Sequence, residues 1–219
     1  LSTASSSPPG TVGSRSFALG SELGMCCGGS VEVLFEVLAD ALVVLLVGAG
    51  HVGLLAAETL ARTGFRVVLI DAREEVLAPE RTAEARRLGV ELCAAEHDDP
   101  EVRAALRCPA ERVALVAVTH DHQLDQRAVE WGLLQGFGFV GGVGSRAKAL
   151  RTQKRLIHRG FSPQLVARVR MPIGLGKGAR TPAEIAVAIT AELVGVRAAL
   201  RDQAGPSAAR ERGAARLEA

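Results

Sequence analysis

The sequence predicts an α/β fold built on a doubly wound parallel sheet, and three observations carry that reading. Apolar runs recur at 41–47, 66–71, 113–118 and 138–143, with the near-continuous hydrophobicity of strands buried on both faces. Segments of helical period follow them. Val52, Leu55, Ala56, Thr59 and Leu60 form one, and residues 122–135 another. Strands that alternate with helices pair in parallel through right-handed crossovers.

Taken in order, residues 1–16 are rich in Ser, Pro and Gly and read as a flexible lead-in. Residues 17–40 form a second short segment. Val31, Val33 and Phe35 alternate there with Glu32, Leu34 and Glu36, which favours a strand. That segment is too small for a domain of its own. The main domain is expected over 41–201. Gly64 stops its first helix, and within 74–108 the run Val90 to Ala94 is the candidate third strand. The last helix opens on Thr181-Pro182-Ala183-Glu184, a Thr cap, a first-turn Pro and a capping-box Glu. Ile185, Ile189, Leu193, Val196 and Leu200 then mark its apolar face. Residues 202–219 read as a mobile tail.

Composition narrows the function. The chain has 219 residues, 48% hydrophobic and 23% charged, which supports a packed core. Its 26 basic and 24 acidic side chains leave a net charge of +2. That balance argues against a nucleic-acid binder or an anionic-membrane binder. Six Phe, one Trp and no Tyr give no base-stacking platform. The apolar run 41–47 is too short to span a bilayer. No Cys-x-x-Cys occurs, so a zinc ribbon or thioredoxin-type site is not supported; no secretory signal is legible, so a reducing, cytoplasmic setting is expected.

Four short motifs carry candidate chemistry. Gly48-Ala49-Gly50-His51-Val52-Gly53 follows a buried strand and opens a helix, the setting of the dinucleotide fingerprint. Gly48 permits the tight turn, Gly50 lets backbone approach a pyrophosphate, and Gly53 lets helix pack on strand. Asp71, 21 residues after Gly50, ends the second strand, where a carboxylate accepts from ribose hydroxyls and repels a 2′-phosphate. The fold is therefore expected to be Rossmann-like, although a glycine turn that binds nothing has the same local pattern. Thr119-His120-Asp121-His122 follows another buried strand, on the same sheet edge. His120 is a candidate acid/base, while Thr119 or Asp121 also reads as a helix cap. Gly144-Ser145-Arg146-Ala147-Lys148 offers backbone N–H groups and two cations to an anion, or else forms a solvated first helical turn. Cys26 and Cys27, flanked by Gly24, Gly28 and Gly29, read as an exposed turn presenting a thiolate, or as two small buried hydrophobes. His97, His158, Cys93 and Cys108 have no such setting.

The ordered set ELGMCCGGSVEV (22–33), VGAGHVG (47–53), VLID (68–71), VTHDHQLD (118–125), GFVGGVGSRAK (138–148) and MPIGL with TPAEIAVAITAEL (171–193) resembles the xanthine dehydrogenase accessory proteins, the XdhC/CoxI-type maturation factors. The resemblance implies a protein that binds molybdenum cofactor (molybdopterin). It also implies support for sulfuration of that cofactor, with a cysteine desulfurase as donor, and insertion into a xanthine dehydrogenase-like molybdenum hydroxylase. Residues 17–40 would then be the remnant of a larger, truncated amino-terminal domain, and a homodimer is compatible with the family. The resemblance makes Gly48, Gly50, His51, Gly53, Asp71, Thr119, His120, Asp121, His122, Gly144, Ser145, Arg146 and Lys148 the candidate cofactor-binding set. Cys26 and Cys27 would stand near the molybdenum, as soft ligands suit. Two other readings use the same loop: a NAD-dependent oxidoreductase with His120 as acid/base, and a nucleotide-sensing domain needing only the glycine loop and Asp71.

Overall fold

The computed structural model describes residues 12–20, 28–36, 42–176 and 178–204; Cys26 and Cys27 lie outside them. The chain divides into two units. One takes residues 1–40 and 198–219, the other 41–197.

Within the first unit, β1 (Val12–Ala18) and β2 (Ser30–Glu36) pair antiparallel, from Val12 opposite Glu36 to Ala18 opposite Ser30. Leu19 N–H donates to Gly29 O across the next step. The alternation at 31–36 is thus a strand. Its partner falls largely inside the stretch read as a lead-in, because the Gly, Ser and Arg of 13–16 carry no alternating pattern. Cross-strand hydrogen bonding, and the Arg15 guanidinium 5.0 Å over the Phe17 ring, order it instead.

The second unit holds a six-stranded parallel sheet. Its strands are β3 (Val43–Val47), β4 (Arg66–Ile70), β5 (Glu91–Cys93), β6 (Val113–Ala117), β7 (Phe139–Gly142) and β8 (Val169–Arg170), in the order β5-β4-β3-β6-β7-β8. All five residues of β3 and of β6 are buried, as their unbroken apolar sequences require. The helices are α1 (His51–Arg62), α2 (Pro79–Arg87), α3 (Pro100–Leu106), α4 (His122–Leu134), α5 (Arg146–His158), α6 (Pro163–Val166) and α7 (Pro182–Ala204). Short 3-10 turns precede α2 and β6.

The strand order reverses between β3 and β6, and in such sheets the crevice at that point is the ligand site. Register makes the crevice well defined. Val47 lies level with Ile70 and Ala117, and Ala117 with Gly142. The loops that follow these strands therefore leave the sheet at a common height.

Helix α1 buries Gly53, Leu54, Ala56, Ala57 and Leu60, while Leu55 is exposed. The buried stripe is rotated from the one the apolar spacing suggests, because Gly53 has to face the preceding turn. A Cβ on Gly53 would stand 1.8 Å from Gly48 O. On α7, Ile189 and Leu193 are fully buried, and Glu184 accepts from Thr181 N while Thr181 Oγ1 accepts from Glu184 N, the capping box read from sequence. The helix continues to Ala204, past position 202. Trp131 packs edge-on against Phe137 at 5.1 Å and against His97 at 5.9 Å, closing the core under α4.

Two glycines give opposite expectations. A Cβ at Gly138 would meet Glu111 O at 2.1 Å, so Gly138→Ala should cost about 2–3 kcal/mol. Gly195 sits within α7 with open space around it, and Gly195→Ala should stabilise by roughly 0.5–1 kcal/mol. Urea unfolding midpoints read both; equal midpoints for the two variants would contradict the packing described.

Candidate functional site

The glycine loop is shaped by contact on one side and by space on the other. Gly48 has φ +113, a left-handed conformation that glycine adopts without strain. Its N–H donates to Ile70 O at 2.8 Å, and a Cβ there would press on Thr119 at 3.0–3.1 Å. Gly48 therefore draws the β3 and β6 loops together. Gly50 caps α1 in extended conformation, with no side chain closing the helix start and nothing within 4 Å of its Cβ position. The first N–H groups of a helix have no partner within it, so this open end attracts acceptors and anions. His51, the first residue of α1, is exposed beside it.

Asp71 is 8% exposed at the end of β4. Its Oδ2 accepts from Ala49 N at 2.9 Å and Arg73 Nη2 at 2.8 Å; its Oδ1 accepts from Arg73 N at 3.1 Å and Arg73 Nε at 2.9 Å. Burial by itself would raise the Asp71 pKa. The Arg73 guanidinium and the two backbone N–H donors outweigh it and hold the carboxyl below its ordinary 3.8. The same pairing raises Arg73.

On the other side of the crevice, Asp125 is 1% exposed. Its Oδ1 accepts from Thr119 N at 3.1 Å and lies 2.8 Å from Thr119 Oγ1. Its Oδ2 pairs with Lys148 Nζ, which also donates to Val143 O at 3.0 Å. Lys148, which the sequence pattern offers to an external anion, is buried with its charge met inside the fold. Its stem crosses Gly144 so closely that a Cβ there would lie 2.5 Å from Lys148 Cδ.

Asp121 accepts from Gln123 N at 2.7 Å and caps α4; this bond chiefly holds its pKa low. Ser145 accepts from Lys148 N at 3.2 Å and caps α5. His120 and His122 are exposed, and of the two only His120 lines the cleft beside the glycine loop.

That cleft is small and is bordered by Gly48, Asp71, Arg73, His97, Thr119 and His120. A wider one lies between Gly144, Arg146, Pro172, Gly174, Gly176, Gly178 and the α7 residues Ile185 and Ala188. Among the described residues, the exposed Arg146 is the cation this second cleft offers. The structure thus gathers Gly48, Asp71, Thr119 and His120 around one opening, and sets Gly144 and Arg146 at another. Among the described residues, no group of three or more His, Cys, Asp or Glu side chains is placed to hold a metal ion, and no helix is long and apolar enough to cross a membrane.

Sequence reasoning missed three residues. Asp125 lies in the motif quoted for the resemblance, but reads as an ordinary polar position on a helix. Arg73 is two residues past Asp71, a spacing that in an extended segment returns a side chain to the same side. His97 carries no pattern at all, yet it is 4% exposed, lines the cleft beside the glycine loop, and its Nδ1 has no hydrogen-bond partner. Burial lowers its pKa.

Two expectations follow. Lys148→Met leaves Asp125 buried without its cation and should cost about 3 kcal/mol, measured by chemical unfolding; a loss under about 0.5 kcal/mol would mean the pair is not buried in solution. Asp71 has a folded pKa below its unfolded one, so its ionised form adds stability above about pH 4, and this is lost as pH falls through the lower folded value. The stability gap between wild type and Asp71→Asn should therefore be present at pH 7 and narrow as pH falls below about 4; a gap independent of pH would refute the assignment.

Comparison with known proteins places this architecture. The profile of the XdhC Rossmann domain matches residues 44–193. The uncharacterized protein YqeB of Escherichia coli (strain K12) is 30% identical over 175 residues, which cover 80% of this chain and 31% of YqeB. A crystal structure described as a xanthine dehydrogenase from Bacillus halodurans superposes with a TM-score of 0.63 at 21% identity, over 82% of this chain and 50% of that one. The chain therefore spans about a third and half of the lengths of these relatives, and the structural likeness shows the fold. The matched stretch contains the glycine loop, Asp71, the Thr119–Asp125 turn, Lys148 and the start of α7. This chain belongs to the family of XdhC Rossmann domains.

Proposed function

We propose that this chain is the ligand-cradling domain of a maturation factor that binds molybdenum cofactor and serves a xanthine dehydrogenase-like molybdenum hydroxylase. In this reading it holds the cofactor in the cytoplasm while a cysteine desulfurase supplies sulfur, and then helps insert it into the client. It is a binding and delivery protein rather than a turnover enzyme, and a homodimer is one form it could take.

One observation carries the reading: the uncapped start of α1, with clear space at Gly50, opens beside a cleft lined by Gly48, Thr119 and the buried His97. A phosphorylated pterin offers such a place both an anion for the helix end and polar ring atoms. Gly48, Gly50 and the first turn of α1 would hold the phosphate, with Thr119 fixing the opposite wall. When bound, the cofactor supplies a soft metal–sulfur centre. Cys26 and Cys27, outside the described residues, have the chemistry to approach it. A second reading, a NAD-type nucleotide, is favoured by the placement of Asp71 at the end of β4 beside the glycine loop.

Anaerobic titration of the purified chain with molybdenum cofactor, NAD and ATP in parallel tests this. Molybdenum cofactor should bind at least about tenfold tighter than the others. Gly50→Val should abolish that preference without unfolding the chain, since the extended backbone there accepts valine. Tight NAD binding with no cofactor binding would sink the maturation-factor reading.

A further inference from the structure

Hydrogen-bond capacity in the cleft beside the glycine loop is lopsided. An ionised carboxylate offers about four acceptor positions, and Asp71 has four protein donors: Ala49 N, Arg73 N, Arg73 Nε and Arg73 Nη2. No position remains for a ribose hydroxyl unless Arg73 leaves. The guanidinium has five N–H donors. Two of them reach Asp71, so three are left on a side chain that is 42% exposed and borders the cleft. The open end of α1 adds further donors. His97 supplies an independent sign of a ligand. It is buried on the cleft wall, and its Nδ1 stands 3.8 Å from Glu96 Oε2, beyond hydrogen-bond reach. Glu96, the other carboxylate on this cleft, is 57% exposed, where water screens its charge.

We infer that Arg73, locked to Asp71 beside His97, selects a ligand that presents a phosphomonoester over one that presents a free ribose diol. This reverses the specificity that Asp71 alone implies. A phosphomonoester is an acceptor-rich dianion that the free guanidinium edge can meet with paired, charge-assisted bonds. A diol would have to donate to a carboxylate that is already saturated. The inference rests on the proposal of a phosphorylated ligand at the glycine loop, and it names the form of that ligand. It would be molybdopterin with its terminal phosphate rather than the cytosine dinucleotide form, or, in the nucleotide reading, NADP rather than NAD.

The test titrates the whole chain with both pairs: molybdopterin against its cytosine dinucleotide, anaerobically, and NADP against NAD. In whichever pair binds, the monoester member should bind at least about tenfold tighter. Arg73→Ala should erase that ratio and improve the diol member, because Asp71 is then free to accept. Arg73→Lys should restore part of the ratio. Circular dichroism confirms that the variants are folded, and the wild-type ratio is decisive even if they are not. A diol member binding as tightly as its monoester counterpart, or a folded Arg73→Ala that keeps the ratio, overturns the inference while leaving phosphorylated-ligand binding intact. A tenfold NADP preference with no pterin binding supports Arg73 selection and removes the molybdenum reading. No binding by any of the four overturns both.

Discussion

The Asp125 carboxylate, buried to 1% exposure, is the point on which the geometry of the ligand edge depends. A carboxylate so enclosed survives as an anion only with full compensation, and it has three sources: Thr119 N–H, the Thr119 hydroxyl and the Lys148 ammonium. Because these belong to the turn after β6 and the first turn of α5, one charge fixes two loops that the sequence separates by more than twenty residues. Lys148 also donates to Val143 O and draws in the end of β7. Thr119, thus held, is the wall against which Gly48 packs. Buried ion pairs are weak evidence for stability as such, but this one determines where three loops can stand.

Across the crevice, a second carboxylate is treated in the same way with a different outcome. Asp71 is also saturated by donors, but its cation is a neighbour two residues along rather than a distant lysine, and that cation stays half open to the cleft. Asp125 and Lys148 form an internal brace. Asp71 and Arg73 form a face with surplus donors. The distinction is one of number and exposure: both lysine and arginine are neutralised, but Lys148 is buried with two of its three N–H groups engaged, whereas the half-exposed fork of Arg73 keeps three of five.

The strands with unbroken apolar runs were readable from residues alone, since a five-residue stretch such as Val43–Val47 has few alternatives to a doubly covered strand. The glycine loop and the α7 capping box were equally legible because each residue type there answers a local backbone demand. Much of what lies elsewhere was not. Helix α5 carries five Lys or Arg in thirteen residues, and its buried face of Lys148, Ala149, Thr152 and Leu156 includes a lysine whose partner is remote in sequence. β8 is two residues long and exists only by pairing with β7. At the site, the residues that converge on the cleft were recovered where a motif marked them, as with Gly48, Asp71 and Thr119. They were missed where only the fold brings them together, as with His97 and Arg73.

The brevity of the two outer strands bears on how the chain survives in solution. β3, β4 and β6 are rich in Val, Leu and Ile, the composition that in an exposed state stacks into intermolecular sheets. The edges of their sheet are β5, of three residues, and, beyond β7, β8, of two. Neither edge offers enough unpaired backbone to template another chain. The same sheet that presents a level row of loops to a ligand is thereby blunt at both sides, and its aggregation-prone centre stays sealed for as long as those two short strands remain docked.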